Sequence, residues 1–156
     1  MTPTTPQALA QVLTDSLGRR VDVAAVPTST VKRGERTVCA AFRADDQSLA
    51  SVCVCDLASV IYSGAALSLY PNQRAKEDIL AGRVDSNLAE NFAEILNICS
   101  GWVGAVLKRH VKYEALYVEE AKRPAEVQTM SLSTVHRMHL QWNIAGYGPC
   151  RMTLVY

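Results

Sequence analysis

The amino-acid sequence predicts an α+β domain in which long helices pack on one face of an antiparallel sheet. Three observations lead to this fold class. Apolar residues recur at helical spacing, β-branched segments flank short turns, and the elements follow the order helix, strand, hairpin, helices, hairpin. That order favours helices layered on an antiparallel sheet. The length of 156 residues fits a single domain over 1–156 with one core.

The N-terminal part of the sequence predicts a helix and then a strand. Thr5 can cap a helix over 6–17, and Gly18 suits its end. Its apolar residues lie at helical spacing: Leu9, Val12, Leu13 and Leu17. The alternating, β-branched segment 21–26 predicts a strand, and 32–36 predicts an exposed loop around a glycine.

A β-hairpin and two helices are predicted next. Two apolar segments, 37–44 and 48–56, flank the turn residues Asp45, Asp46 and Gln47. The small apolar residues of 57–69 predict a helix packed on the sheet, and 71–80 predicts a short polar helix.

The longest predicted helix runs from a cap at Asp85 or Ser86 to about His110. Beyond it the sequence predicts a strand over 114–118 and a hairpin over 137–145 and 150–156. Segment 119–135 remains open between helix and strand. In the hairpin, alternating apolar residues predict a strand at the edge of the sheet: Met138, Leu140, Trp142 and Ile144.

Charge and apolar content exclude several classes of protein. Lys and Arg total 16, Asp and Glu total 15, and the net charge is +1, which argues against binding nucleic acid by bulk charge. No apolar stretch approaches the length of a membrane span, and no secretory signal is evident. Five irregularly spaced cysteines predict buried, reduced thiols, so we expect a cytoplasmic protein.

The longest helix has two distinct faces when successive residues are placed 100° apart. One face predicts a core stripe: Leu88, Phe92, Ile95, Cys99, Trp102, Val103 and Val106. The opposite face carries Glu90, Glu94, Asn97, Gly101 and Lys108. Glu94 and Asn97 are one turn apart and therefore adjacent on the surface.

Two residues on that opposite face are unfavourable in a helix. Asn97 competes for nearby backbone groups, and Gly101 costs about 1 kcal/mol relative to Ala. One rigid helix thus carries a carboxylate, a carboxamide and a position without a side chain, which together suggest a docking and catalytic surface. The alternative is an ordinary solvated face on which the Asn is incidental.

The segment Glu94-Ile-Leu-Asn97-Ile-Cys-Ser-Gly101 resembles the signature helix of the CheC/CheX/FliY family of chemotaxis phosphatases. Glu90 stands four residues before Glu94, where that family usually has Ser or Asp. The resemblance extends over the N-terminal helix and the hairpin to about Lys112. Like CheX, the chain has a single Glu-x-x-Asn helix.

This resemblance implies a CheX-like fold and the dephosphorylation of the aspartyl phosphate of a CheY-type response regulator. Asn97 would position the attacking water, and Glu94 would engage a Lys of the regulator. The regulator itself would hold Mg²⁺, so this chain would bind no cofactor. Glu90, Gly101 and Lys108 would contact the regulator, and a homodimer would supply two sites.

Two other functions remain open at this point. The family often has a Pro at about the position of Glu120, whereas the nearest Pro of this chain is Pro124. This departure and the Glu at position 90 leave open a non-catalytic CheX-like module that binds or dimerises. The second is an unrelated α+β domain, for which a buried Asn97 would be expected.

Metal binding has weaker support in the sequence. Cys53 and Cys55 face the same side of a strand, but His136 and His139 do not complete a recognised ligand set, so we predict no metal site. The basic residues Lys108, Arg109, His110 and Lys112 either complement the helix dipole or attract an acidic partner.

Overall fold

The structure is a computed structural model that describes residues 3–28 and 34–156. The helices of this described part are α1 (Pro6–Leu17), α2 (Leu57–Ser68), α3 (Asn72–Ala81), α4 (Ser86–Leu107) and α5 (Ala125–Ser131), with a 3₁₀ turn at Glu120–Lys122. Its strands are β1 (Val21–Val26), β2 (Thr37–Ala44), β3 (Leu49–Asp56), β4 (Val111–Tyr117), β5 (Arg137–Ile144) and β6 (Gly148–Val155). The predicted α+β class is confirmed. Residues 32 and 33 of the predicted loop lie outside the described residues.

All six strands form one sheet in the order β1-β5-β6-β3-β2-β4, with every neighbouring pair antiparallel. The predicted edge position of β5 is wrong. β1 pairs along its whole length with β5, from Val21 opposite Ile144 to Val26 opposite His139. This pairing places the C-terminal hairpin inside the sheet and leaves β1 and β4 at its two edges.

Helices α1, α2 and α4 form a layer on one face of the sheet and enclose the main core. α2 and α4 approach very closely, because Gly64 of α2 faces the backbone of Leu88. α1 is joined to α4 by the indole of Trp102, whose Nε1 donates to the carbonyl of Thr5 at 3.2 Å. The helices predicted to pack on one face of the sheet are therefore α1, α2 and α4.

The opposite face of the sheet is covered over β2 and β3 by α5. A small second core joins them, formed by Cys39, Ala41, Val52 and Val127. Arg43 of β2 forms ion pairs with Glu114 and Glu126, which ties α5 to the sheet. This helix resolves the segment that the sequence left open, and Pro124 directly precedes it.

The ends of α4 explain one difference from the predicted boundaries. Asp85 caps the helix, as predicted, by accepting the amide of Asn87 at 2.8 Å. The helix ends at Leu107, three residues before the predicted end, because Lys108 adopts a left-handed conformation with φ 57°. The amide of Arg109 then donates to the carbonyl of Gly104 at 3.1 Å, and the chain turns into β4.

All five cysteines are buried as free thiols, as predicted. Burial raises the pKa of each of them, and for Cys99 to about 12, so none is a nucleophile at neutral pH. In the described ranges, no helix has both the length and the apolar content that crossing a membrane requires.

Candidate functional site

The long helix α4 presents the two faces that its sequence predicts. Six of the seven predicted core residues are buried, Val106 is half-buried, and Leu96 joins them. The N-terminal half of the helix is held against α2 and its C-terminal half against β4. The outward face therefore belongs to a helix that α2 and β4 hold in place.

Glu94 and Asn97 are exposed on this outward face, one turn apart. Neither side chain forms a hydrogen bond or an ion pair with any residue in 3–28 or 34–156. The backbone of Asn97 is nonetheless fixed, since its carbonyl accepts the hydroxyl of Ser100 at 2.7 Å. The carboxylate and the carboxamide are thus both available to a partner on a rigid support.

Ile98 lies beside Asn97 and is 50% exposed. Sequence reasoning missed it, because the helical projection assigned residues to two faces only, and Ile98 lies between them. An apolar side chain next to an unpaired amide would help to exclude water from a partner docked there.

Gly101 differs from the other seven glycines of the chain, and all eight lie in the described residues. Five have positive φ, and Gly64 and Gly104 are too close to neighbouring backbone to carry a Cβ. A Cβ on Gly101 would meet nothing within 4 Å. The fold therefore does not require glycine at this exposed position, although glycine destabilises a helix.

An open groove of about 840 Å³ lies beside this end of α4. Its lining includes Gly101, Gly104 and Lys108. Because α4 ends at Leu107, Lys108 does not lie on the helical face where the sequence placed it, but it still reaches the same groove as Gly101. Glu90 is exposed on α4 itself, one turn before Glu94.

The neighbouring basic residues are already paired within the chain. Arg109 lies 3.6 Å from a carboxylate oxygen of Asp46, and His110 contacts Asp45 at 2.7 Å. Both acidic residues belong to the turn between β2 and β3. The two basic side chains thus fix this turn against the end of α4, whereas Lys108 has no such partner in the described part of the chain.

The cysteines and histidines considered for a metal do not come together. Cys53 and Cys55 face the main core, whereas His139 contacts Thr153 at 2.9 Å on the opposite face of the sheet. His136 stacks on Tyr156. Across 3–28 and 34–156, no group of three or more His, Cys, Asp or Glu side chains is arranged to hold a metal ion.

The chemistry available on α4 is positioning rather than proton transfer. An amide can both donate to and accept from one water molecule, and a carboxylate can pair with a cation of a partner. No histidine or cysteine lies among the outward residues Glu90, Glu94, Asn97 and Gly101. A reaction that needs oriented groups more than an acid or base suits this surface.

Comparison with known proteins identifies the fold. No protein-family model matches the sequence, and no curated protein shows significant sequence similarity. Among solved structures, FliM in a FliM–SpeE complex from H. pylori matches with a TM-score of 0.62 at 11% identity, over 97% of this chain and 80% of that chain. The FliM middle domain from H. pylori matches with a TM-score of 0.59 at 10% identity, over 97% and 84%. FliY from Thermotoga maritima matches with a TM-score of 0.53 at 12% identity, over 94% and 81%.

The chain therefore has the α+β fold that FliM middle domains and FliY share. FliY is one of the proteins named in the family that the sequence resembles, so structure and sequence agree on the fold. Asn97 is exposed, whereas an unrelated α+β domain would be expected to bury it.

Proposed function

We propose that this protein dephosphorylates the aspartyl phosphate of a CheY-type response regulator. The observation that carries the proposal is the pair Glu94 and Asn97, exposed and without partners in the described structure, on a rigid helix beside a glycine that the fold does not need. The proposal also rests on the resemblance of segment 94–101 to the signature helix of chemotaxis phosphatases.

In the proposed reaction, the carboxamide of Asn97 holds a water molecule in line with the phosphorus. The water oxygen bonds to phosphorus as the bond from phosphorus to the aspartyl oxygen breaks, giving inorganic phosphate and a free carboxylate. Positioning of this kind supplies much of the catalysis in phosphoryl transfer. The regulator would supply Mg²⁺ and a Lys to balance the charge on the phosphoryl group.

Docking would involve the remaining outward residues of α4. Glu94 would form an ion pair with the Lys of the regulator and so orient the helix. Gly101 would let the backbone of the regulator approach α4 closely, while Ile98 would be covered. Glu90 and Lys108 would add contacts at the two ends of this surface.

The experiment that tests the proposal measures the loss of phosphate from a purified, phosphorylated CheY-type regulator whose gene lies near the gene of this protein. We expect the wild-type protein to accelerate this decay, and we expect Glu94→Gln to raise KM more than it lowers kcat. The matched control is Glu77→Gln, an exposed carboxylate on α3 that should leave the decay unchanged. No acceleration by wild-type protein with any such regulator would contradict the proposal.

A second candidate is a non-catalytic module that binds a protein of a chemotaxis or flagellar system. Two observations favour it: the solved structures with the highest TM-scores reported above are FliM, one of them in a complex with SpeE, and Glu90 departs from the family pattern. In that case the protein would bind the phosphorylated regulator without changing the lifetime of its phosphate.

We also propose that the protein acts as a cytoplasmic homodimer. The edges of the sheet are β1 and β4, and each has one side unpaired among the described strands. Pairing of such edges across a two-fold axis would extend the sheet through both copies. Light scattering that gives the mass of one chain at micromolar concentration would contradict the dimer.

A further inference from the structure

A second cavity lies on the opposite face of the sheet from the main helix layer, between α5 and the strands. Its volume of about 650 Å³ is in the range of small-molecule sites. Val54 and Thr153 form part of its floor, and Gln128 and Leu132 of α5 form part of one wall. α4 and the residues of the proposed phosphatase site belong to the other face.

Three arginines line this cavity, and their hydrogen bonds go to neutral acceptors. Arg123 donates to the carbonyl of Thr37 at 2.6 Å, and Arg36 donates to the carbonyl of Gly82 at 2.5 Å. Arg137 donates to two carbonyls at the end of α5, at 3.0 Å and 2.8 Å. None of the three forms an ion pair with a described residue, in contrast to Arg43. The head of Arg36 lies at Gly82, just beyond the end of α3, so the two guanidinium groups that the structure places between α5 and the strands are those of Arg123 and Arg137.

Arg123 is the most informative of the three. Its Nε is sealed from solvent and has no acceptor among the described residues. A buried donor without an acceptor is rare in folded proteins. Its outer nitrogens donate to Gln128 and Thr37, which are neutral, so this cation has no ion-pair partner among the described residues. An anion beside the outer nitrogens would supply the missing counter-charge.

The other titratable groups around the cavity leave its charge positive. Glu35 and Glu120 also line it, and Glu35 forms an ion pair with Arg151, which is itself paired with the buried Asp56. His139, bonded to Thr153, has a pKa lowered by burial and by the charge of Arg137, so it is neutral at pH 7. Three arginines thus line the cavity with two carboxylates, and its net charge is positive.

We propose that this cavity binds a small organic molecule carrying a phosphate group. Arg123 and Arg137 would hold the phosphate, because guanidinium groups bind phosphate oxygens through paired hydrogen bonds. The side chains of Val54 and Leu132 would contact the apolar part of the ligand. The site is independent of the phosphatase proposal, since it uses neither α4 nor its outward residues.

The test is a titration of the ¹⁵N-labelled protein with phenyl phosphate, followed by NMR. We expect saturable shifts centred on the amides of Val54, Leu132 and Thr153. Arg123→Gln should weaken binding at least tenfold. The matched control is Arg20→Gln, an exposed arginine at the other end of β5 that pairs with Asp22 and should bind like wild type.

Three results would overturn the proposal. One is no saturable shift at millimolar phenyl phosphate, and another is a set of shifts centred instead on the basic residues 108–110. The third is unchanged affinity in a folded Arg123→Gln variant. If that variant fails to fold, Arg137→Gln replaces it, and affinity within twofold of wild type would then refute the site.

Discussion

Replacing Gly101 by Ala should separate stability from activity. The added Cβ meets nothing within 4 Å, so the substitution introduces no clash within the chain. Ala is favoured over Gly inside a helix by about 1 kcal/mol. For a domain of this size, that gain corresponds to a rise in Tm of about 3 °C. We therefore expect Gly101→Ala to be more stable than wild type in thermal or urea unfolding.

The same methyl group should weaken the proposed docking of the regulator. If the regulator approaches the bare backbone closely, the Cβ overpacks the interface at a cost of about 1–3 kcal/mol. Binding and phosphate release would then fall by about 5- to 150-fold. Stopped-flow measurement of phosphate decay over a range of enzyme concentrations gives this change directly.

Gly104→Ala is the matched control for stability, because Gly104 lies one turn further along the same helix. A Cβ there would lie 2.9 Å from the carbonyl oxygen of Arg109, so this variant should be less stable than wild type. A loss of stability in Gly101→Ala would refute the structural reasoning. Unchanged phosphate decay in Gly101→Ala would refute the close approach of the regulator at this position.

Three further predictions follow from the structure and the proposed function. Gly64→Ala should destabilise the fold by about 3 kcal/mol or more in urea unfolding. The added Cβ would lie 2.3 Å from the carbonyl oxygen of Leu88 and would push α2 away from α4. Wild-type stability of this variant would contradict the close packing of the two helices. The hydroxyl of Tyr70 and then Arg83 lower the pKa of Asp78, so the stability that this buried carboxylate contributes is present above about pH 4 and lost as pH falls further. Asp78→Asn should therefore lose less stability than wild type between pH 7 and pH 3, and an equal loss in both would count against it. Phosphate decay should change little between about pH 6 and 9, because the proposed amide does not titrate; a steep pH profile that belongs to this protein would point to an acid or base instead.

The helices could be predicted from the sequence because their signals are local. Thr5 and Asp85 cap α1 and α4 as expected, and the apolar stripe of α4 is buried. Glu94 and Asn97 are exposed for the same reason, since periodicity alone decides which side of a helix faces the core.

What the sequence could not predict depends on contacts between distant segments. β5 alternates like an edge strand, but β1 pairs with it from more than a hundred residues away and encloses it. The helix α5 has a weak local pattern and forms a small core of its own against β2 and β3. The end of α4 is set by the close approach of Arg109 to Gly104, which periodicity does not encode.

The most direct test of the proposed function is the single-turnover decay of a phosphorylated regulator bound to the Asn97→Ala variant. We predict that the rate constant for loss of phosphate from the bound regulator falls about 100-fold, because the amide positions water. Affinity for the regulator should stay within a factor of about two, because the amide does not dock the partner. The matched control is Asn87→Ala, an exposed asparagine on the same helix about 15 Å away, which should behave like wild type. Equal decay rates for Asn97→Ala and Asn87→Ala would contradict the proposed role of Asn97.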